Sequence, residues 1–358
     1  MDDLFNRESL TPFEAKHAAQ RLAFGPFAFQ AARALRDLGI LEALRAKRDR
    51  GATPAELAEE LDVSRYGLEV LLEAGLASEI VRLDGERYSL TNTGVFVLRD
   101  KMTRINMDFV ADVCYRGMSH LEEAVREGRP AGLSELGDWP TIYRALAELP
   151  EPARGSWFAF DHFYSDGIFP AVLPRVFERP PRRLLDVGGN TGRFAVSCAE
   201  HDADVRVTIL DLPGQLEAAR AHAAERGFAD RIDGEPIDFL DRDRPFPEGY
   251  DAIWMSQFLD CFAEDEIVSI LERARRVMEP ETRLYIVDTY WDRQRHPAAA
   301  FCLIMTSLYF TCMANGSSKM YHSARMLACI ERAGLEVVEQ VDEIGISHTL
   351  FVCRRPGE

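Results

Sequence analysis

A glycine-rich turn set between two acids is where this chain could do chemistry. An apolar run, Leu184 to Val187, carries Asp186 and leads into Gly188, Gly189 and Gly192. A helical pattern follows, with Phe194, Ala195, Val196 and Cys198, and a second apolar run, Val205 to Leu210, ends in Asp211. This spacing predicts a strand, a turn, a helix and a second strand with an acid at its tip. Glycines in the turn let backbone N–H groups approach a ligand with no Cβ in the way. A carboxylate at the strand tip is placed to accept both hydroxyls of a ribose.

Two cofactors compete for such a unit. A dinucleotide needs G-x-G-x-x-G, so that its pyrophosphate meets the helix N-terminus. Counted from Gly188, the third position is Asn190 and the sixth is Arg193, so that fingerprint fails twice. The spacing Asp186, Gly188, Asn190, Gly192 resembles instead the D-x-G-x-G-x-G loop of S-adenosylmethionine-dependent methyltransferases. That cofactor has no phosphate, and an acid before the turn can serve its amino group. Asn190 stands where the family loop has its middle glycine, and asparagine is the next most tolerant residue of left-handed backbone. An α/β core with an unused glycine turn is the plainer alternative, and it leaves the position of Asp211 unexplained.

A chain of 358 residues suggests two domains, and 47% apolar residues suffice for a sizeable core. A net charge of −17 argues against binding nucleic acid or an anionic membrane. The cysteines (114, 198, 261, 302, 312, 329 and 353) are scattered and never form C-x-x-C, so neither a metal site nor a disulfide framework is expected. The first residues, MDDLFNRESL, are acidic and polar and carry no sign of a signal peptide. No uncharged apolar stretch is expected to reach membrane-spanning length. A cytoplasmic, reducing compartment is the expectation.

Residues 1–105 form the first expected unit. Phe13 to Leu44 has helical periodicity, punctuated by Gly39. Thr53-Pro54-Ala55-Glu56 is a helix start, with a Thr cap and a Glu three residues on. A further helix runs from Ser64 to Leu76, and two alternating runs flank Asp84-Gly85 as a hairpin. Helix, turn, helix and two-stranded wing make a winged-helix pattern. The second helix would be the DNA reader, yet its outward residues include Arg65, Glu69 and Glu73, a net acidic set unsuited to phosphates. A dimerisation module fits better than a DNA-binding regulator. Residues 106–180 are expected to be a helical linker that contributes to a substrate pocket. Residues 181–358 alternate strands and helices, with runs at Gly234 to Leu240, Tyr250 to Ser256 and Leu284 to Asp288 and a closing hairpin. That alternation implies a parallel sheet covered on both faces.

The whole chain resembles the plant-caffeate-type (family 2) O-methyltransferases and their bacterial relatives, which serve secondary metabolism. The residues that carry the likeness are Leu185-Asp186-Val187-Gly188-Gly189-Asn190-Thr191-Gly192, Leu210-Asp211-Leu212-Pro213, Ile237-Asp238-Phe239 and Phe262-Ala263-Glu264-Asp265-Glu266. The resemblance implies a Rossmann-like class I methyltransferase domain behind a winged-helix dimerisation domain. It implies S-adenosylmethionine as cofactor, a homodimer and a small aromatic acceptor. It assigns the ribose to Asp211 and the adenine to Asp238 and Phe239, with Asp186, Gly188, Gly189, Asn190, Gly192, Leu212 and Ser256 completing the cofactor set. Phe158, Tyr164 and Asp166, together with Met305 and Tyr309 of the apolar segment near 301–313, would meet the acceptor.

One departure bears on the chemistry. The family segment reads roughly L-H-D-W-S-D-E, and its His takes the phenol proton; here it reads Leu259-Asp260-Cys261-Phe262-Ala263-Glu264-Asp265. The His slot holds Asp260, and the Glu that orients that His corresponds to Asp288. A phenol near pKa 10 and an Asp near 3.9 differ by about 6 units, roughly 8 kcal/mol uphill. Asp260 is therefore a poor simple base, and it has a second role open to it as the N-cap of the following helix, since Ala263 cannot cap. His162, in the aromatic segment Phe158-Ala159-Phe160-Asp161-His162-Phe163-Tyr164-Ser165-Asp166, is the replacement base expected, with His322 and His348 behind it. The remaining histidines, His222 among them, are expected at the surface. Methyl transfer to a phenolic oxygen, or to the ring carbon ortho to it, is the expected reaction. The alternative is a relative that keeps cofactor and dimer but acts as a decarboxylase, hydroxylase or pericyclase.

Overall fold

The computed structural model describes residues 10–357, which separate into two compact units, residues 10–110 and residues 111–357.

In the first unit the helical pattern of residues 13–44 resolves into three helices, Pro12–Ala23, Gly25–Asp37 and Ile40–Lys47. The breaks fall at Phe24 and at Gly39, which takes a left-handed φ of 77°. The helix Pro54–Glu60 starts as its sequence requires: Glu56 N–H donates to Thr53 Oγ1 at 3.2 Å, and Thr53 N–H donates back to Glu56 Oε2 at 2.9 Å. Ser64 caps the helix Arg65–Ala77, and the wing is an antiparallel hairpin, β1 (Val81–Asp84) and β2 (Arg87–Leu90). Leu35, Ile40, Leu44, Leu57, Leu68 and Leu72 close the core. Phe13, Leu22 and Phe27 remain 82%, 82% and 73% exposed, an uncovered apolar face on the first two helices. On the would-be reader helix Arg65 is tied to Glu69 at 2.8 Å.

The second unit is built on a seven-stranded sheet. Its strands are β3 (Arg183–Val187), β4 (Arg206–Asp211), β5 (Ile232–Pro236), β6 (Ala252–Ser256), β7 (Arg283–Thr289), β8 (Glu336–Ile344) and β9 (His348–Arg354). They lie in the order β5-β4-β3-β6-β7-β9-β8, parallel from β5 to β7 and antiparallel at β9 and β8. The run expected to extend to Leu240 ends as a strand at Pro236, which offers no N–H to continue the ladder. Two apolar layers, one on each face, explain why β3, β6 and β7 are almost continuously apolar. Strand order reverses at β3, with β4 on one side and β6 on the other, so the carboxyl ends of these strands flank a crevice. The helix Ala153–Ser165 belongs to this unit.

One expectation is corrected. From Pro297 to Ala314 the chain is helical, and these 18 residues, with a mean hydropathy of 1.6, are long and apolar enough to cross a membrane; 33% of the stretch is buried. Its hydroxyls, which interrupt the apolar run on paper, turn back onto the helix. Thr306 Oγ1 donates to Cys302 O at 2.8 Å and Thr311 Oγ1 to Ser307 O at 3.1 Å.

Candidate active site

The ends of β3, β4 and β6 open onto a cavity of about 330 Å³. Asp186 lies on β3 at its floor, 2% exposed, and its Oδ2 has no hydrogen-bond partner among the described residues. Burial first, and the charge of Asp211 second, push its carboxyl up to about 8. The loop after β3 must be glycine for two steric reasons. Gly188 has φ 73°, and a Cβ there would stand 2.2 Å from the Phe258 ring; a Cβ on Gly189 would stand 2.6 Å from Asp186 Oδ2. Asn190 takes φ 49°, a conformation asparagine tolerates. Gly192, also left-handed, starts the helix Arg193–His201 and lies outside the cavity lining.

Asp211 ends β4 and accepts two backbone N–H groups, from Asn190 at 2.8 Å and Leu212 at 2.7 Å. Burial raises it to about 6, with both N–H groups working the other way. Leu212, Phe239 and Ser256 line the cavity as expected, and Ser256 Oγ and Gln257 Nε2 are buried without a partner among the described residues. Asp238 also lines it, and Arg144 donates to its Oδ2 at 2.5 Å. Nothing in the sequence signalled Arg144. Gln215, also missed, donates through Nε2 to Asn190 Oδ1 at 2.5 Å, and Asn190 Nδ2 donates to Asp161 Oδ2 at 3.0 Å.

His162 and Asp166 line the same cavity from the helix Ala153–Ser165 and the turn after it, and Asp166 is paired with Arg193. His162 Nε2 lies 3.3 Å from Thr191 Oγ1. Burial, then the Arg193 charge, pulls its pKa down to about 4, so the ring is neutral at pH 7. Asp260 occupies a short turn, Leu259–Cys261, beneath the wall residue Cys261, whose Sγ donates to it at 3.6 Å. Burial raises Asp260 to about 6. Asp288, 1% exposed at the end of β7, is driven well above the carboxylate range by burial and by Asp260; the backbone N–H groups of Phe258 and Gln257 only partly oppose this. Neither Asp260 nor Asp288 touches the cavity directly.

The expected N-cap role of Asp260 fails. The helix Glu264–Val277 begins after Ala263, and Glu266 Oε2 accepts the Ala263 N–H at 2.8 Å, so the cap is supplied from within the helix. Four residues expected against the acceptor, Phe158, Tyr164, Met305 and Tyr309, lie outside the lining. Tyr309 OH instead accepts from the Trp157 indole at 2.7 Å, and Met305 is 48% exposed. His322 is a helix cap that accepts the Ala324 N–H, and His348 is a core residue. His222 is not a surface residue: its Nδ1 lies 3.1 Å from Thr191 O, bracing the loop.

Comparison with known proteins places this geometry. Residues 171–335 match the O-methyltransferase domain model and residues 16–88 match the Dimerisation2-like domain model. The chain thus carries a Dimerisation2-like domain followed by an O-methyltransferase domain. The solved structures with this fold include human N-acetylserotonin methyltransferase in complex with S-adenosylmethionine, at 20% identity and a TM-score of 0.67. The chain is similar to the mitomycin biosynthesis 6-O-methyltransferase of Streptomyces lavendulae, with 29% identity over 43% of this chain and 41% of that protein. It is similar to aclacinomycin 10-hydroxylase RdmB of Streptomyces purpurascens, with 29% identity over 50% of this chain and 45% of the relative. Each match therefore spans less than half of that relative. Among solved structures the S-adenosylmethionine-dependent methyltransferase SibL superimposes with a TM-score of 0.72 at 25% identity, over 95% of this chain and 99% of that one.

Proposed function

We propose that the protein is an S-adenosylmethionine-dependent methyltransferase acting on a small aromatic, phenolic acceptor in secondary metabolism. One observation carries the reading: three buried polar atoms without protein partners, Asp186 Oδ2, Ser256 Oγ and Gln257 Nε2, all belong to residues lining the cavity that also holds the glycine loop and Asp211. Buried polar groups need partners, so this cavity fits a polar ligand. Asp211, fixed by two backbone N–H groups, is oriented to accept the ribose hydroxyls. Phe239 and Leu212 offer apolar surface for the adenine, beside Asp238. Asp186 takes the amino group at the foot of the loop. The bound cofactor supplies an activated methyl group, so the protein's work is placing the acceptor oxygen or ring carbon in line and removing its proton.

For that proton, burial reorders the candidates. His162, held near 4, lies about 6 units below a phenol, roughly 8 kcal/mol uphill. Asp260, raised to about 6, lies about 4 units below, roughly 5 kcal/mol. Asp260, with Asp288 behind it, is the better proton sink, reached from the cavity through the Cys261 thiol that donates to it, and neutral His162 is a hydrogen-bonding wall group. The N-terminal unit forms a homodimer, supported by its domain match and by exposed Phe13, Leu22 and Phe27.

A second reading keeps the cofactor but not methyl transfer. The acid in the His slot and the likeness to a 10-hydroxylase favour it. Incubation with a phenolic panel and methyl-labelled cofactor separates the two. Labelled product with S-adenosylhomocysteine supports methyl transfer, and product fragmentation tells oxygen from ring methylation. Acceptor turnover without label, or no binding of S-adenosylmethionine where NAD binds, refutes it.

A further inference from the structure

We propose that Asp161 is the counter-charge to the sulfonium of the cofactor, so that the pocket holds S-adenosylmethionine more tightly than its thioether product, S-adenosylhomocysteine. The inference rests on the cofactor reading above and adds a residue to it.

The first argument is charge accounting. Asp161, Asp186, Asp211 and Asp238 all line the cavity. Asp238 has Arg144, and Asp211 has two backbone N–H groups. The cavity's other arginine, Arg193, is paired with Asp166. Among the described residues Asp161 has no ion-pair partner, and Asp186 keeps an oxygen with no partner at all. A cavity with two carboxylates that lack ion-pair partners, Asp186 buried and Asp161 half-buried, is built for a ligand with two positive centres. S-adenosylmethionine brings an ammonium and a sulfonium. Its product retains the ammonium and has a neutral thioether.

The second argument is placement. Asn190 holds Asp211 through its backbone N–H and Asp161 through its side-chain amide. The ribose acid and Asp161 are therefore one residue's reach apart. The sulfonium is joined to the ribose through a single methylene, whereas the ammonium lies at the far end of the tail. Asp186, on β3 beneath Gly189, serves that far end, and Asp161 is left for the sulfonium. The asparagine that stands in place of a loop glycine is the residue that anchors this carboxylate, and Gln215 fixes its orientation.

The groups facing Asp161 are Asp166 and His162 on its own segment, Arg193 after the loop, Asp260 beyond β6 and Tyr309 on the apolar helix. Burial, with Asp166 and Asp260 assisting, raises Asp161 to about 7, while Asn190 and Arg193 oppose the rise. A neighbouring cation restores its ionisation, so the cationic cofactor expels a proton that the neutral product does not.

Isothermal titration of the full-length protein with each nucleoside, in two buffers of different ionisation enthalpy, tests this. Wild type should favour S-adenosylmethionine and release more protons on binding it at pH 7. Asp161→Asn should weaken S-adenosylmethionine at least about tenfold, the scale of one charge contact at a partly solvated wall, and shift S-adenosylhomocysteine far less. It should also remove the difference in proton release. Asn190→Gly, which restores the family loop and frees Asp161, should lower the same affinity ratio. Equal weakening of both nucleosides by Asp161→Asn would assign Asp161 to the ammonium or to structure and overturn the proposal. Unchanged affinities with lost turnover would make it the acceptor's base and overturn it too. Failure of wild type to bind either nucleoside would instead remove the cofactor reading itself.

Discussion

Replacing Asp186 by asparagine should stabilise the ligand-free protein while abolishing cofactor binding. The carboxyl is 2% exposed and raised from 3.8 to about 8. A folded-state pKa above the unfolded one means the folded chain binds the proton more tightly. Wild type is then most stable below the unfolded value, loses stability as pH climbs through 4 to 8, and loses no more beyond. The rise of about 4 units costs roughly 6 kcal/mol above pH 8, and roughly 4 kcal/mol at pH 7. Asparagine removes that charge but leaves a buried amide in an apolar floor, a loss of about 1–3 kcal/mol. The net gain is about 2–4 kcal/mol at pH 8, worth roughly 5–15 °C in a unit of this size, and it shrinks to nothing near pH 5.

The assay is thermal unfolding of wild type and Asp186→Asn from pH 5 to pH 8.5, with and without S-adenosylmethionine. Without ligand the variant should melt higher, by a margin that widens with pH. With ligand only wild type should rise. A variant that melts below wild type at pH 8, or a margin that does not change with pH, would mean that the carboxylate is compensated in the empty site. The argument that this cavity stores an uncompensated charge for its ligand would then fail.

Asp211→Ala should remove the melting shift that S-adenosylmethionine gives wild type, since two charge-assisted hydrogen bonds of about 1.5–3 kcal/mol each are lost; a shift that persists refutes the ribose assignment. On the acceptor found by the labelled panel, kcat/KM should rise through a limb near pH 6, the value of Asp260, and Asp260→Asn should lose that limb and at least about a hundredfold in rate. His162→Gln should keep the limb, and its loss there would return the base role to His162. Phe13→Asp with Phe27→Asp should turn a dimer into a monomer by light scattering, and an unchanged mass would place the interface elsewhere.

The fold was legible wherever short-range rules decide it. The Thr53 and Glu56 pair, the Asp84-Gly85 hairpin and the strand, glycine turn and strand around Asp186 and Asp211 are local patterns, and each formed as its residues dictate. The boundaries that slipped were set by single residues within a periodic run. Phe24 interrupts the helical pattern ahead of the expected break at Gly39, and Pro236 ends β5 although Ile237 and Phe239 continue the apolar count. The run from 297 to 314 was misjudged for a related reason: hydroxyls that count as polar in a sequence satisfy themselves on the helix backbone.

That the glycine loop, Asp186 and Asp211 meet at one cavity was legible because these residues are neighbours in sequence, on the ends of consecutive strands. The acceptor half was not, because its properties are made by contacts between distant segments. Arg144 reaches Asp238 across 94 residues, and Tyr309 turns from the cavity because Trp157 offers its indole N–H. Proton affinities follow the same logic. Ordinary values rank His162 far above Asp260 as a base, but the aromatic segment buries the imidazole beside Arg193, while the turn after β6 buries Asp260 against Asp288. Desolvation lowers a base that must become cationic and raises one that is anionic to begin with, so one burial moves the two in opposite directions and reverses their order. A carboxylate in a histidine's slot can therefore keep the basicity of a proton acceptor, provided that slot is closed to water and linked to the cavity, here through the Cys261 thiol.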